Sequence, residues 1–174
     1  MTGVQTCALP IEPVFNSDAE ILILGSFPSV KSREQGFFYG HRQNRFWKVI
    51  AYLCGRDEPQ SIDEKKKLLQ SNGIAVWDVI HSCDIKGSSD SSITNVTVND
   101  ISKILNAADI RGIFANGARA YDLYMKYIFP ENRVRAVKLP STSPANASWS
   151  QDALIEKWSE ELALCGFKKV KMDR

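Results

Sequence analysis

A stretch near the amino terminus, residues 25–47, concentrates side chains that could hold and act on a planar ligand. It reads GSFPSVKSREQGFFYGHRQNRFW and contains three consecutive aromatic residues, 37–39, followed by Asn44 between Arg42 and Arg45. Aromatic rings stack on planar groups, and the carboxamide of asparagine both donates and accepts hydrogen bonds. Basic side chains beside them suit phosphate groups. This composition predicts a ligand site in a loop.

Further polar groups follow predicted strands. Apolar runs rich in β-branched residues predict strands at residues 21–24, 74–77, 110–115 and 134–139. Residues 25–47 follow the first run, Asp78 the second, Asn116 the third, and a segment rich in Ser and Pro the fourth. Because the carboxyl ends of parallel strands lie at one edge of a sheet, we expect these groups to form a single site there.

Helical patterns alternate with these strands. Apolar spacing and capping residues predict helices at residues 45–53, 61–71, 97–105, 118–128 and 150–164. Residues 81–92, rich in Ser, Gly and Asp, predict a second long loop, and residues 167–170 predict a last edge strand. Alternating strands and helices imply right-handed crossovers and a sheet covered on both faces. The predicted fold class is α/β, a three-layer α/β/α domain with a central, mostly parallel sheet of four or five strands.

Two motifs carry a resemblance to a known family. The segments GSFPS and YGHRQNRFWKVI, together with the later LPSTSPANAS at residues 139–148, resemble the uracil-DNA glycosylase superfamily, most closely its hypoxanthine-DNA glycosylase branch. Residues 41–50 also resemble the mismatch-specific uracil glycosylases, and the similarity covers most of residues 19–167. The resemblance implies a uracil-DNA glycosylase-like fold. It also implies an enzyme that flips a deaminated base out of DNA and hydrolyses its N-glycosidic bond, with hypoxanthine favoured over uracil or xanthine.

The resemblance places the catalytic asparagine at Asn44. Breaking an N-glycosidic bond builds negative charge on the leaving base, so donors toward the base and a held water are needed. The Asn44 amide does not take a proton at neutral pH, but it can orient a water and stabilise charge. An alternative is that Asn44 caps the helix that follows it. The superfamily often has Asp or Asn at the position of Phe27, and the Phe in this chain closes that route.

Residues predicted to hold the base are Tyr39, Phe38, Phe27, Asn116 and Asp78. The aromatic rings offer a stacking face for an extruded base. Hypoxanthine presents an acceptor at O6 and a donor at N1, and the Asn116 side chain carries both complementary groups. Alternatively, Asn116 caps the next helix. Asp78, beside Trp77, is either a base with a raised pKa or a ligand to backbone amides.

Contacts with DNA are predicted from both motifs, at His41, Arg42, Arg45, Ser141, Thr142, Ser143, Pro144 and Asn146. Hydroxyls and backbone amides bind phosphate without reading sequence. The second motif lacks a His and an obvious bulky Leu wedge, which leaves Asn146 or Ala147 near the gap in the duplex. The predicted partner is double-stranded DNA that contains a deaminated base.

Composition excludes several classes of protein. The chain is 44% hydrophobic and 24% charged, as in ordinary soluble domains, and its net charge of +2 is too small to indicate a polyanion partner by itself. The four cysteines form no CxxC pair, which argues against a disulfide framework or a zinc site. The hydrolysis needs no metal or organic cofactor. Without a secretory signal or an apolar run of ~20 residues, we expect a cytoplasmic, bacterial-type protein that acts at the nucleoid and not at a membrane.

The domain organisation is predicted to be simple. Residues 1–10, MTGVQTCALP, resemble a translated sequencing-adapter remnant and predict a non-native or disordered leader. Residues 11–174 predict a single glycosylase domain, which we expect to act as a monomer.

Two other functions remain open at this point. One is a mismatch-specific uracil-DNA glycosylase of the same fold. The other, from a different class, is a non-catalytic nucleic-acid-binding module, which would bind DNA with a steep salt dependence and release no base. For an enzyme, the absence of a Lys or Pro placed to form a Schiff base in the motifs predicts a monofunctional glycosylase.

Overall fold

The structure is a computed structural model that describes residues 4–7, 11–86 and 94–167. Its strands are β1 (Val4–Cys7), β2 (Ile21–Gly25), β3 (Ile74–Asp78), β4 (Ile80–Lys86), β5 (Thr94–Val98), β6 (Gly112–Asn116) and β7 (Ala136–Leu139). Its helices are α1 (Val30–Gln35), α2 (Phe46–Leu53), α3 (Ile62–Ser71), α4 (Ser102–Leu105), α5 (Ala118–Tyr127), α6 (Phe129–Asn132) and α7 (Gln151–Leu164).

The core of the molecule is a parallel sheet in the order β3-β2-β6-β7. Every residue of β2 and β3 is buried, because helices cover both faces of such a sheet and leave neither face open to water. Helix α3 packs on β3, α5 on β6 and β7, and α7 on β7 and α2. The predicted α/β/α fold class is confirmed, and the predicted strands recur with their ends shifted by up to two residues.

Helix boundaries follow the capping signals in the sequence. The Ser61 hydroxyl accepts a hydrogen bond from the Glu64 amide at the start of α3, and the Ser150 hydroxyl accepts one from the Ala153 amide at the start of α7. These side chains satisfy amides that a helix leaves without internal partners. None of the helices in the described parts of the chain is long and apolar enough to cross a membrane.

A second, antiparallel sheet in the order β1-β4-β5 corrects the prediction for residues 81–92. Residues 81–86 belong to β4 and do not form a loop, while residues 87–93 lie outside the described residues. The register of β4 against β5 shifts on both sides of Ser82. Such bulges break the two-residue alternation that identifies a strand, so the sequence pattern hid β4.

The predicted helix at residues 97–105 is also wrong in its first half. Thr94–Val98 form β5, and the helix is reduced to Ser102–Leu105. Ile101 and Ile104 are buried at helical spacing, as expected. The Thr and Val residues before them are β-branched and pair with β4, because their side chains suit a pleated surface better than a helix.

Part of the amino-terminal segment, for which a non-native or disordered leader is predicted, belongs to the second sheet. Val4–Cys7 form β1, which pairs antiparallel with β4 from Val4 opposite Lys86 to Cys7 opposite Cys83. The domain boundary at residue 11 stays a prediction. The predicted edge strand at residues 167–170 lies outside the described residues except for Phe167, which is buried.

Candidate active site

A cleft of about 290 Å³ lies at the carboxyl edge of the parallel sheet, among the loops that follow β2, β3, β6 and β7. Its size is near the lower end of ordinary ligand pockets, roughly 300 Å³. Its lining residues are Gly25, Ser26, Phe27, Pro28, Ser29, Ser32, Phe38, Tyr39, His41, Asn44, Asp78, Asn116, Ser141, Thr142, Ser143 and Pro144. The structure therefore brings together the predicted catalytic residue, all predicted base-binding residues and most predicted DNA contacts. Arg42, Arg45 and Asn146 do not line the cleft.

A directed chain of hydrogen bonds joins the two asparagines of the cleft. The Thr142 backbone amide donates to Asn116 Oδ1 and Asn116 Nδ2 donates to Thr142 Oγ1, each over 3.0 Å. Thr142 Oγ1 in turn donates to Asn44 Oδ1 over 2.8 Å, and the Phe46 backbone amide donates to the same oxygen over 3.0 Å. Because a backbone N–H can only donate, the two backbone contacts fix which way both carboxamides point.

These hydrogen bonds determine which groups of Asn44 remain available to a ligand. Both lone pairs of its Oδ1 are used, by Thr142 and Phe46. Among the described residues its Nδ2 has no hydrogen-bond partner, so its two N–H groups are available in the cleft. The capping alternative is realised in part, since Asn44 accepts from the Phe46 amide in the first turn of α2, although Arg45 occupies the N-cap position. The contact with the Phe46 amide leaves Asn44 Nδ2 available, so it is compatible with the predicted catalytic role, which stays a prediction.

Thr142, for which a contact with phosphate is predicted, is buried and hydrogen-bonded within the protein, and the predicted contact stays a prediction. Its exposed fraction is 0%, and its hydroxyl is committed to Asn116 and Asn44. Through these hydrogen bonds Thr142 holds the carboxamides of Asn44 and Asn116 in place.

Arg45, for which a DNA contact is predicted, makes hydrogen bonds within the protein. Its guanidinium donates to the backbone carbonyls of Trp149, Ser143 and Asn146, the last two over 3.0 Å. Its backbone amide donates to the Thr142 carbonyl over 3.1 Å. Arginine supplies several donors in a fixed plane, which suits it to hold several carbonyls at once. Arg45 therefore fixes the shape of the second motif.

The other predicted DNA contacts are distributed around the mouth of the cleft. His41 is exposed, and its Nδ1 accepts from the Gln43 amide over 3.1 Å. Arg42 is exposed beside it. Ser141, Ser143 and Pro144 line the cleft and are half-buried, whereas Asn146 lies behind them, where its Nδ2 donates to the Ser141 carbonyl over 3.0 Å.

Asp78 and Tyr39 form a buried polar floor. Asp78 is 6% exposed, and burial raises the pKa of its carboxyl to about 7. The Tyr39 hydroxyl is buried and has no hydrogen-bond partner among the described residues. Burial and the Asp78 carboxylate raise the pKa of Tyr39 well above its usual range, whereas the nearby Asn116 side chain acts in the opposite direction. An orphaned hydroxyl beside a buried carboxyl suits a polar ligand that supplies the missing partners.

Gly25 makes room for this floor. A Cβ at residue 25 would lie 2.5 Å from Asp78 Oδ1 and 3.1 Å from the Tyr39 hydroxyl. The first distance is too short for any side chain to be accepted without displacing Asp78. The glycine of the GSFPS motif is therefore required for space and not for backbone conformation.

The aromatic residues divide between the cleft and the core. The Tyr39 ring stacks on Phe46 with 3.9 Å between ring centroids, and the residue has a φ of +51°, a left-handed conformation that is strained for a non-glycine residue. Phe38 is buried in the cleft wall, and Phe27 is half-buried. Phe37 stacks on Trp47 and belongs to the core. The Tyr39 ring is thus held in one orientation by its contact with Phe46.

Asn99 is a site residue that the sequence did not reveal. It is 5% exposed, and its Nδ2 donates to the backbone carbonyls of Asp78, over 2.8 Å, and Ile80, over 3.3 Å. Its Oδ1 lies 3.1 Å from His81 Nδ1. Asn99 thereby fixes the backbone of the residue that forms the floor of the cleft. An asparagine directly after a β-branched run was the available signal, but it lay inside a segment predicted to be helical.

The cleft contains amides, hydroxyls, aromatic rings and one carboxyl group. Within the parts of the chain that the structure describes, no group of three or more His, Cys, Asp or Glu side chains could hold a metal ion. Such a cleft can bind a flat heterocycle between rings and hydrogen-bond its edge. The N–H groups of Asn44 could then stabilise negative charge that develops on it.

Comparison with known proteins supplies independent information. A sequence model of the uracil DNA glycosylase superfamily matches residues 12–163. A protein named hypoxanthine DNA glycosylase from Methanosarcina acetivorans is 34% identical over 143 residues, which are 80% of this chain and 88% of the relative. One of the same name from Methanosarcina barkeri is 32% identical over 139 residues, or 77% and 85%. The solution NMR structure of a candidate uracil DNA glycosylase from M. acetivorans superposes with a TM-score of 0.78 at 29% identity, covering 93% of this chain and 99% of that one.

Proposed function

This chain belongs to the uracil DNA glycosylase superfamily, and from that membership we propose that it is a monofunctional DNA glycosylase that releases hypoxanthine from deoxyinosine in duplex DNA. The observation that carries the proposal is the chain of hydrogen bonds from Asn116 through Thr142 to Asn44, which leaves the N–H groups of Asn44 free in a cleft with an aromatic wall. The two relatives named hypoxanthine DNA glycosylase support the choice of base.

The edge of the base is recognised at the polar floor. Hypoxanthine presents the N1 donor beside the O6 acceptor, and a neutral carboxyl group carries the complementary acceptor and donor. With its pKa near 7, Asp78 is neutral in a large part of the population at neutral pH. Asn116 has one N–H of Nδ2 and one lone pair of Oδ1 that do not bond Thr142, and these two groups can hydrogen-bond the base. Tyr39 stacks on the plane of the base, with Phe38 and Phe27 beside it.

The chemistry is hydrolysis at the sugar. The bond between C1′ and the base nitrogen breaks, and its electron pair leaves with the purine. The oxygen of a water molecule bonds to C1′, and one water proton ends on the released base. Asn44 donates hydrogen bonds to the charge that develops on the leaving base. Because both lone pairs of its Oδ1 are in use, Asn44 could hold a water only as a donor, and not as an acceptor of the water's proton.

A second candidate substrate is uracil. The solved structure that this chain resembles is of a candidate uracil DNA glycosylase, and residues 41–50 resemble the mismatch-specific uracil enzymes. The fold, the cleft and the role of Asn44 are the same in both readings. A measurement of the released base distinguishes them.

The test is release of free base from duplex oligonucleotides that carry one deoxyinosine or one deoxyuridine. We expect wild type to release hypoxanthine, and Asn44→Ala to lose roughly 10²–10³ in single-turnover rate, the usual effect of removing one donor to developing charge. Asn106→Ala, the same change on an exposed residue outside the cleft, is the matched control and should match wild type. Release of uracil alone would show that the substrate is uracil and not hypoxanthine. Release of neither base, with DNA binding retained, would favour the non-catalytic binding module.

The partner in this proposal is double-stranded DNA that contains a deaminated base, bound by a monomer. Each molecule holds a complete cleft from its own loops, so no second copy is needed to form the site. The mass of the complex with a duplex oligonucleotide, measured by light scattering, tests the stoichiometry.

A further inference from the structure

The Tyr39 hydroxyl has no part in the stacking that its ring provides. Tyr39 lines the cleft, and its hydroxyl is the one buried side-chain oxygen without a hydrogen-bond partner in the parts of the chain that the structure describes. The residue also has a φ of +51°, which is strained for a non-glycine residue. Both features cost stability, so their presence in the cleft wall points to a use for the hydroxyl when a ligand is bound.

The hydroxyl lies beside one oxygen of the Asp78 carboxyl group. A Cβ on Gly25 would lie 3.1 Å from the Tyr39 hydroxyl and 2.5 Å from Asp78 Oδ1, so the two oxygens face the same point at the end of β2. The Asn116 side chain is also close to the hydroxyl, since it influences the pKa of Tyr39. Because β2 lies between β3 and β6, the hydroxyl stands between the Asp78 carboxyl and the Asn116 carboxamide. Stacking of the ring on Phe46 holds it there.

In this position the Tyr39 hydroxyl can act as a donor to Asp78. Burial and the Asp78 carboxylate raise the pKa of Tyr39 well above its usual range, so the hydroxyl keeps its proton at neutral pH. The N–H groups of Asn116 can only donate. A contact with them uses a lone pair of the hydroxyl and leaves its proton available to Asp78 Oδ1, the nearer carboxyl oxygen.

A neutral carboxyl group does not by itself distinguish a deaminated base from its parent. Hypoxanthine presents a donor at N1 and an acceptor at O6, whereas adenine presents an acceptor at N1 and a donor at its amino group. The carboxyl group has one acceptor and one donor, and its proton can sit on either oxygen, so it can pair with both bases. Discrimination therefore needs a neighbouring group that keeps the proton on one oxygen.

We propose that Tyr39 is a specificity-determining residue, whose hydroxyl donates to Asp78 Oδ1 and thereby keeps the Asp78 proton on Oδ2. The inference rests on the proposed function, because it takes the edge of the extruded base to face Asp78. Oδ1 is then an acceptor for N1–H of hypoxanthine, and Oδ2 is a donor to its O6. Adenine in the same pose would place acceptor against acceptor and donor against donor, which is strongly unfavourable in a buried site.

The same pattern applies to pyrimidines. Uracil presents a donor at N3 and an acceptor at O4, and cytosine presents an acceptor at N3 and a donor at its amino group. The hydroxyl of Tyr39 therefore selects the oxo base over its amino parent in either case. The inference holds whichever deaminated base is the substrate.

The test measures binding of free bases, which does not depend on catalysis, to wild type and Tyr39→Phe by NMR titration. The two pairs are hypoxanthine with adenine and uracil with cytosine. At about pH 6 most Asp78 is neutral, and we expect Tyr39→Phe to lose roughly fivefold to tenfold in selectivity for the oxo base, the effect of one hydrogen bond. At about pH 8 most Asp78 is ionised and accepts only, so it rejects the amino base without Tyr39 and the two proteins should select equally.

Tyr124→Phe is the matched control. The Tyr124 hydroxyl is outside the lining of the cleft and donates to the Val134 carbonyl over 2.7 Å. Its removal should lower the melting temperature and leave the selectivity unchanged, whereas Tyr39→Phe should melt no lower than wild type, because the hydroxyl that it removes has no partner. His41 is the other titratable side chain in the described lining besides Asp78 and Tyr39, and both variants retain it, so its titration cancels in the comparison.

Three results would overturn the inference. They are wild-type selectivity of Tyr39→Phe at about pH 6, an equal loss at about pH 6 and about pH 8, and a wild type that does not distinguish either pair of bases. The second result would show that Tyr39 shapes the cleft in general and does not direct the Asp78 proton.

Base release by the wild type separates this inference from the proposed function. If hypoxanthine is released from duplex DNA and Tyr39→Phe selects as wild type does, the role of Tyr39 fails alone. If no base is released while Tyr39→Phe shows the expected loss at the lower pH, the cleft stands as a selective site for oxo bases and the catalytic proposal fails.

Discussion

Thr142 is the residue on which the geometry of the cleft depends most. Its hydroxyl is the only link described between the carboxamides of Asn116 and Asn44, and its own backbone fixes the orientation of Asn116. Without that hydroxyl, Asn44 Oδ1 would keep one partner, the Phe46 amide, and the side chain could rotate. In the proposed mechanism the orientation of Asn44 therefore depends on a buried neighbouring side chain.

The variant Thr142→Val removes the hydroxyl and keeps the shape of the side chain. We expect the single-turnover rate of base release to fall by roughly tenfold to a hundredfold, as when the support of a catalytic group is lost. Affinity for DNA should change little, because Thr142 is buried. Thr142→Ser, which restores the hydroxyl, should recover most of the rate.

A double-mutant cycle shows whether Thr142 acts through Asn44. In the Asn44→Ala background, Thr142→Val should cost little further rate, since the group that it positions is gone. Equal losses in the two backgrounds would show that Thr142 supports the fold in general and not Asn44.

At the scale of elements, the second motif is a segment without regular structure that its neighbours hold in place. Arg45 donates to the carbonyls of Trp149, Ser143 and Asn146. The Trp158 indole donates to the Pro140 carbonyl over 3.0 Å, and Asn146 donates to the Ser141 carbonyl. The start of α2 and the face of α7 therefore give this loop its shape, which in turn places Thr142.

The variant Arg45→Gln tests whether this arginine acts on the loop or on DNA. Glutamine cannot supply donors to three carbonyls, so we expect a loss of roughly 2–4 kcal/mol in the free energy of unfolding, measured by urea denaturation. The salt slope of DNA binding should be unchanged. Arg42→Gln, an exposed neighbour, should show the reverse, with normal stability and a lower slope. An Arg45→Gln protein of normal stability whose DNA binding has a reduced salt slope would show that Arg45 contacts DNA.

At the scale of the whole molecule, the parallel sheet provides the low-dielectric surroundings that raise the pKa of Asp78. The residue lies at the end of β3, next to β2, and the completely buried strands remove water from its carboxyl group. Burial favours the neutral form, which raises the pKa of Asp78 to about 7. The folded protein therefore binds a proton at Asp78 that the unfolded chain has released by pH 5.

The stability of the protein should consequently depend on pH through Asp78. The pKa of Asp78 is higher in the folded protein than in the unfolded chain, where it is near 4. Below pH 4 the carboxyl group is neutral in both states, so its titration does not lower the free energy of unfolding. As pH rises toward about 7, the raised pKa lowers the free energy of unfolding by an amount that approaches an upper limit of the order of 4 kcal/mol. Asp78→Asn, which is neutral at every pH, should match wild type in thermal melts at pH 4 and melt higher at pH 8.

The same variant separates the two chemical roles of Asp78. If the neutral carboxyl donates to the base, wild-type release falls as pH rises through about 7, and Asp78→Asn retains activity without that dependence. If the ionised form acts as a general base, release rises over the same range and Asp78→Asn is inactive. A rate that is independent of pH in the wild type would contradict both roles.

The sequence by itself determined the parallel sheet and the place of the cleft. Apolar runs ending at Gly25, Asp78 and Asn116 are local signals, and the geometry of parallel strands carries their ends to one edge. Asn44 and Tyr39 were recognisable because the motif around them is contiguous. The family followed from two motifs, and the match over residues 12–163 confirms it.

Only the tertiary structure decided what each polar side chain bonds. The bond from Thr142 to Asn44 spans 98 residues, and that from Asn116 to Thr142 spans 26. Periodicity within a window carries no information about such partners, so the sequence did not show the internal hydrogen bonds of Thr142 and Arg45, whose predicted DNA contacts stay predictions. Asn99 and β4 were missed for a related reason. Bulges disrupt the two-residue alternation of apolar and polar residues in β4. The Asn99 side chain hydrogen-bonds a backbone carbonyl on another strand, which no local pattern shows.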